Sequence, residues 1–95
     1  MQHILIVEDE SKIARFVSLE LKHEGYETTC IADGREALEA ALQNDYDLIV
    51  LDVMLPGLNG IEILRRLRAV KDTPVIILTA RDAVVDLSLI HISEP

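Results

Sequence analysis

Tyr46-Asp47-Leu48-Ile49-Val50-Leu51-Asp52-Val53-Met54-Leu55-Pro56-Gly57-Leu58-Asn59-Gly60 holds an unbroken apolar run that stops at a carboxylate. A segment with two chain breakers, proline and glycine, follows. A run of this length is short for a helix and suits a strand covered on both faces. The same design occurs at Ile4 to Val7, which ends in Glu8-Asp9-Glu10. It occurs again at Val75 to Leu78, which Pro74 opens and Thr79 follows. Proline at the start of a strand is where its missing N–H does least harm.

Helical spacing fills the intervals. Ile13, Phe16, Val17 and Leu21 mark a first helix, with Phe16 expected in the core. Ser11 or the acidic residues before it can cap that helix, and Gly25 ends it. Tyr26 to Ile31 reads as a second strand, more polar than the first and so nearer the sheet edge. After the Asp33-Gly34 turn, Ala37, Leu38, Ala41 and Leu42 mark a second helix that Asn44-Asp45 closes. Ile63, Leu64, Leu67 and Val70 give the buried stripe of a third, with Glu62, Arg65, Arg66 and Arg68 opposite. Lys71-Asp72 turns the chain into the fourth strand. The order βαβαβαβ with short connections and right-handed crossovers predicts an α/β fold with a doubly wound parallel sheet. In such sheets ligands bind outside the carboxyl ends of the strands, which singles out Glu8, Asp9, Asp52 and Thr79.

The 95 residues, 49% of them hydrophobic, suffice for one domain with a real core. No apolar run approaches the roughly 18 residues a membrane span needs. Met1-Gln2-His3-Ile4 lacks the features of a signal peptide, so a cytoplasmic location is expected. A net charge of -8 argues against direct nucleic-acid binding and suits a protein that holds a cation. The basic residues of the third helix read as a solvated face. Cys30, the only cysteine, excludes an internal disulfide and is expected as a small buried hydrophobe. His3, His23 and His91 show no metal-ligand spacing.

If the strands ending in Glu8-Asp9 and Asp52 are neighbours, three carboxylates meet at one end of the sheet. Like charges that close repel unless protons or a cation compensate. Oxygen donors without Cys or His suit Mg2+, with a backbone carbonyl such as that of Met54 completing the set. A carboxylate can also attack phosphorus to form an aspartyl phosphate. Asp52, on the end of a rigid strand, is the better nucleophile, and the Thr79 hydroxyl could hydrogen-bond a phosphoryl oxygen. Spacing alone leaves a plainer alternative open, because acids at strand ends are often ordinary solvated loop residues. A hydrolase similar to the haloacid dehalogenases would need a second acid where Met54 stands. A dinucleotide site would need a glycine-rich turn where Glu8-Asp9-Glu10 stand.

Three segments together resemble the response regulator receiver family. They are Ile4 to Glu10, Tyr46 to Gly60, and Thr73-Pro74-Val75-Ile76-Ile77-Leu78-Thr79-Ala80-Arg81, in the right order and separation. The resemblance covers roughly Gln2 to Asp86. It implies a flavodoxin-like, CheY-like fold, with Asp52 as phosphoacceptor and Glu8 and Asp9 as the acidic pair. Asp9 would be the more direct Mg2+ ligand, and Met54 would lend its backbone carbonyl. Thr79 would contact the phosphoryl group and move on switching. The implied donor is a phosphohistidine on a sensor histidine kinase, docked on the face of the first helix and nearby loops. A receiver of this kind is a signalling switch more than an enzyme. The segments most resemble the OmpR-type subfamily, whose members add a winged-helix DNA-binding domain and can pair as receiver homodimers.

The sequence departs from the family pattern after Asp86. The family's fifth strand, with its lysine and aromatic switch residue, has no counterpart, and Lys12, Lys22 and Lys71 all precede the fourth strand's end. Leu87 to Pro95 resembles read-through of unrelated nucleotide sequence. The expected organisation is a partial receiver over 1–86, truncated after the fourth strand and the start of the fourth helix, and an anomalous tail over 87–95. Expected consequences are an open apolar edge at the fourth strand and weakened phosphorylation. The competing reading is a non-phosphorylated interaction module or a non-functional fragment.

Overall fold

The computed structural model describes residues 2–53, 55 and 57–78. Thr79, Met54 and the 79–95 stretch, on which several sequence expectations rest, lie outside the described residues. The elements run β1 (His3–Val7), α1 (Ser11–His23), β2 (Glu27–Ile31), α2 (Gly34–Gln43), β3 (Leu48–Asp52), α3 (Gly60–Arg68) and β4 (Val75–Leu78). The four strands form a parallel sheet in the order β2-β1-β3-β4. The chain leaves β1 for β2 on one side and returns to β3 on the other. That reversal opens the crevice at the carboxyl ends of β1 and β3.

Alternating side chains divide the core into two layers. Leu5 and Val7 of β1, Ile49 and Leu51 of β3, and Val75 and Ile77 of β4 face α2 and α3, where they meet Ala37, Leu38, Ala41, Ile63, Leu64 and Leu67. Ile4, Ile6 and Val50 face the other way, towards Ala14, Val17 and Leu21 of α1. Both faces of β1 are therefore covered, and Ile4 to Val7 are at most 2% exposed. The two outer strands are less enclosed. β2, with its polar Glu27-Thr28-Thr29, is the edge strand that its composition predicted.

Helix ends follow local chemistry. Asp33 Oδ2 accepts the N–H groups of Arg35 and Glu36, both at 3.0 Å, and so caps α2. Asn59 Oδ1 does the same for α3 through Glu62 N–H at 3.1 Å. At the end of α1, Gly25 N–H donates to Lys22 O at 2.9 Å and Tyr26 N–H to Leu21 O at 3.1 Å, a Schellman closure. At the α1 start an acidic residue, Glu10, holds the cap position and Ser11 is already helical, but no side chain makes the capping hydrogen bond. The carboxyl end of α2 is held from a distance. Lys71 Nζ donates to Ala41 O at 2.9 Å and Asn44 O at 2.7 Å, and pairs with Asp45 Oδ1 at 3.3 Å. A cation there also suits the negative end of the helix dipole.

Three expectations about burial are corrected. Phe16 is 64% exposed, because the face of α1 against the sheet is Ala14, Val17, Ser18 and Leu21. Small residues at Ala14 and Ser18 let the helix lie close to the sheet, and the Ser18 hydroxyl meets Thr28 Oγ1 at 2.8 Å. Val70 lies beyond the end of α3, in the turn after Ala69, and is exposed. Cys30 is exposed because it belongs to the edge strand β2, beside α1 rather than beneath it. The basic face of α3 is a solvated one, as expected. Arg65 and Arg66 pair with Glu62 at 3.1 and 2.8 Å, and the Arg66 bond holds the Glu62 carboxyl below its usual range.

The burial pattern sets an ordered mutational response. Leu67→Ala is expected to lower unfolding stability by about 2–5 kcal/mol, since its side chain is fully enclosed. Phe16→Ser is expected to change it by less than about 0.5 kcal/mol. Urea unfolding followed by circular dichroism measures both, and a large loss for Phe16→Ser would place Phe16 back in the core.

Candidate functional site

The β1–β3 register pairs Val7 with Leu51, so Glu8, just past β1, and Asp52, the last residue of β3, stand side by side. One carboxylate oxygen each from Glu8, Asp9 and Asp52 lies within 4.8 Å of the others. The sequence expectation of neighbouring strands is met, and the three acids converge rather than scatter into solvent. Their environments differ. Asp52 is 3% exposed and Glu8 5% exposed, whereas Asp9 faces solvent.

Glu8 is fixed by the local turn. Its Oε2 accepts Glu10 N–H at 2.9 Å, tying the carboxylate to the start of α1. The Asp52 carboxyl lies beside that of Glu8, one oxygen of each within 4.8 Å of the other. Burial pushes the Glu8 carboxyl above its ordinary value of 4.5; the Glu10 N–H opposes this, while the charges of Asp52 and Asp9 and the Asp52 hydrogen bond add to it. In chemical terms the cluster stores negative charge that either protons or a hard cation can relieve.

The segment after Asp52 is pressed close to the site. Gly60 N–H donates to Val53 O at 3.0 Å, and Val53 N–H to Leu78 O at 3.3 Å. A Cβ at Gly60 would collide with the Asp52 carbonyl oxygen and fall 2.9 Å from Val53 Cα. Glycine here is required by the close approach of α3 to the end of β3. Gly60 opens α3, and its partner is the backbone of Asp52 itself.

Beside the acids, a cleft of about 470 Å³ runs between α1 and the edge of β2. Arg15, Leu19 and Lys22 line it with Cys30, next to Glu8 and Asp9. Sequence reasoning missed this cleft. The recurrence of Ser11, Arg15, Ser18 and Lys22 along one side of α1 is the signal that could have exposed it.

Residues 4–90 match the response regulator receiver domain. The chain belongs to the response regulator receiver family. The match takes in the first four residues of the stretch set apart as Leu87 to Pro95. Over 85 residues the chain is 60% identical to the transcriptional regulatory protein YkoG of Bacillus subtilis, covering 88% of this chain and 37% of that protein. It is 54% identical over 86 residues to the response regulator ArlR of Staphylococcus saprophyticus, covering 90% of this chain and 39% of that one. The chain thus spans well under half the length of the curated relatives it matches. Among solved structures, the response regulator TrrA of Thermotoga maritima in complex with Mg2+–BeF superposes with a TM-score of 0.81 at 40% identity, covering 86% of this chain and 72% of that one. TrrA in complex with the histidine kinase ThkA superposes at 0.80 with 39% identity, covering 87% of this chain and 72% of that one. The fold of the described residues is that of a receiver. Among them, no helix is long and apolar enough to cross a membrane.

The raised Glu8 ionisation sets a pH dependence. The folded state holds the Glu8 proton more tightly than the unfolded chain. The stability this contributes is complete below the ordinary value of 4.5 and is lost as pH rises through the higher folded value. Without divalent cation, Glu8→Gln is therefore expected to stabilise the protein near neutral pH, with the gain vanishing on acidification below 4.5. Urea unfolding in the presence of a chelator at both conditions measures it. A Glu8→Gln protein less stable at neutral pH would show that the buried carboxylate is not under charge stress.

Proposed function

We propose that this chain is a phosphoacceptor receiver of a two-component relay, in which Asp52 accepts a phosphoryl group from a phosphohistidine of a sensor histidine kinase. The observation that carries this reading is the convergence of Glu8, Asp9 and Asp52 within 4.8 Å at the switch point of the sheet. The donor set fits Mg2+: three carboxylates with no sulfur or imidazole, two of them buried and under mutual repulsion. Glu8, Asp9 and Asp52 would hold the ion, Asp9 most directly from its exposed position, with the Met54 carbonyl as a further ligand. Bound there, Mg2+ would neutralise charge on the transferring phosphoryl group.

Asp52 supplies the nucleophile. One of its carboxylate oxygens forms a bond to phosphorus as the N–P bond of the phosphohistidine breaks. The electron pair stays on the imidazole nitrogen, which then takes a proton from solvent. The enclosed end of β3 holds Asp52 in place, so little positional freedom is lost in reaching phosphorus. Thr79, following β4, is assigned the phosphoryl contact through its hydroxyl. The kinase reading is supported by the likeness to TrrA bound to ThkA. The cleft along α1, open beside Glu8 and Asp9, offers the partner a surface next to the acids.

The OmpR-type assignment, a cytoplasmic setting and control of transcription in a longer parent are part of the same proposal. They draw on the resemblance to YkoG and ArlR, of which this chain covers only the smaller share. The proposed organisation keeps a partial receiver over 1–86 and a tail over 87–95, although the family match reaches residue 90.

Incubation with acetyl phosphate and Mg2+, followed by intact-mass analysis, tests the reading. The unmodified chain is expected to gain one phosphoryl group, and Asp52→Asn or chelation to abolish it. Asp9→Asn is expected to weaken Mg2+ binding by at least the ~10–100-fold that loss of a mere supporting residue costs at metal sites. Phosphorylation that persists in Asp52→Asn would sink the assignment. Absence of phosphorylation in the unmodified chain, with kinase binding kept, would favour the interaction-module reading.

A further inference from the structure

A second close approach lies on the far side of the segment that follows Asp52. A Cβ at Gly34, the first residue of α2, would collide with the carbonyl oxygen of Leu58 and lie 3.0 Å from both its nitrogen and its carbonyl carbon. These are backbone atoms, which cannot swing aside as a long side chain can. A Cβ at Gly57 would meet Asp33 Oδ1 at 3.2 Å. The other oxygen of Asp33 is occupied in capping α2. Leu58 in turn packs against the larger core layer. The stretch from Asp52 to α3 is thus gripped at two points: Gly60 lies on the Asp52 carbonyl, and Leu58 lies on the amino end of α2.

We propose that Gly34 is a positioning residue for the phosphoacceptor segment: by lacking a side chain it lets α2 seat the Leu58 backbone, and that contact sets the path of the chain from Asp52 to Gly60. The phosphoryl part of this inference rests on the function proposed above; the mechanical part does not. Asp52 takes its own position from β3, and among the described residues that follow it Val53 is the one whose backbone still bonds to β4, through Leu78 O. Gly34 gives the backbone beyond Val53 a rigid stop supplied by a different element. A methyl group at residue 34 must push the Leu58 carbonyl outward, and the displacement is transmitted along the few residues that separate it from the Gly60 N–H to Val53 O bond.

The test compares Gly34→Ala with Gly25→Ala. Gly25 has a φ of +98°, so alanine there strains the backbone at the turn between α1 and β2, remote from the acids. Both variants should lose global stability. Only Gly34→Ala should raise the Gly60 amide exchange rate, by about tenfold beyond what the global loss explains, under conditions where circular dichroism shows a folded protein. Only Gly34→Ala should also slow Mg2+-dependent phosphorylation by acetyl phosphate, again by roughly tenfold at equal folded fraction. An unchanged Gly60 exchange rate in Gly34→Ala, or an equal change in Gly25→Ala, overturns the proposal. If the unmodified chain takes up no phosphate, the functional reading fails while the exchange data still decide the mechanical claim. If Gly34→Ala does not fold, native-state exchange of the unmodified protein decides. The Glu36 and Gly60 amides should then open together with one free energy, and a Gly60 opening that leaves Glu36 protected would refute the clasp.

Discussion

The pairing of β1 with β3 is the constraint on which the rest depends. It is a parallel ladder between two strands enclosed on both faces, and its register sends Glu8, Asp9 and Asp52 out of the sheet together. Three carboxylates so close oppose folding when all are ionised. What holds them there is apolar burial below: Leu5, Ile6, Val7 and Leu51 are essentially sealed from water. Each such side chain contributes about 1.5–3 kcal/mol on burial. The charged end of the sheet is tolerated because the apolar burial beneath it offsets the repulsion. Burial raises the Glu8 carboxyl above its ordinary value, and the charges of Asp52 and Asp9 add to that.

Much of this was legible in the residue order. Continuous apolar runs mark a strand covered on both sides, and three of the four strands announce themselves that way. β2 is readable as an edge strand from its threonines. The acidic cluster follows once β1 and β3 are adjacent, because both strands end in acids. What the sequence concealed was rotation about helix axes. Ile13, Phe16, Val17 and Leu21 share helical spacing with Ala14, Val17, Ser18 and Leu21, and hydrophobicity alone favours the first set. Close packing of helix on sheet selects the second, where small residues permit approach. Cys30 misled for a related reason: its apolar character says nothing of whether a helix lies over it. The contacts of Gly34 and Gly60 were also hidden, since a glycine's purpose depends on a backbone distant in sequence.

The two faces of the sheet are unequally dressed. Among the described residues, α2 and α3 together cover one face with a large contiguous core, while α1 covers the other. Along β4, Val75 and Ile77 are buried and Ile76 and Leu78 only partly so. The buried pair faces the layer of α2 and α3, and Leu78 packs against the α1 side. The acids sit at the rim between the two layers. They are backed by the stronger one through α3 and reached from the weaker one along the α1 cleft.

Lys71 gives the molecule a built-in chemical reporter. Its ammonium is engaged by two carbonyls of the α2 end and by Asp45, whereas the amines of Lys12 and Lys22 belong to exposed residues of α1. A protonated amine held by carbonyls must be released before it can react with an acylating reagent. Covalent labelling would therefore proceed at two speeds, fast on α1 and slow where the α3–β4 turn meets the end of α2. The slow class would measure how often the closing contact between residues 41–45 and 71 comes undone. Once labelled, Lys71 could no longer re-form it, so each reaction would leave a permanent mark of one opening.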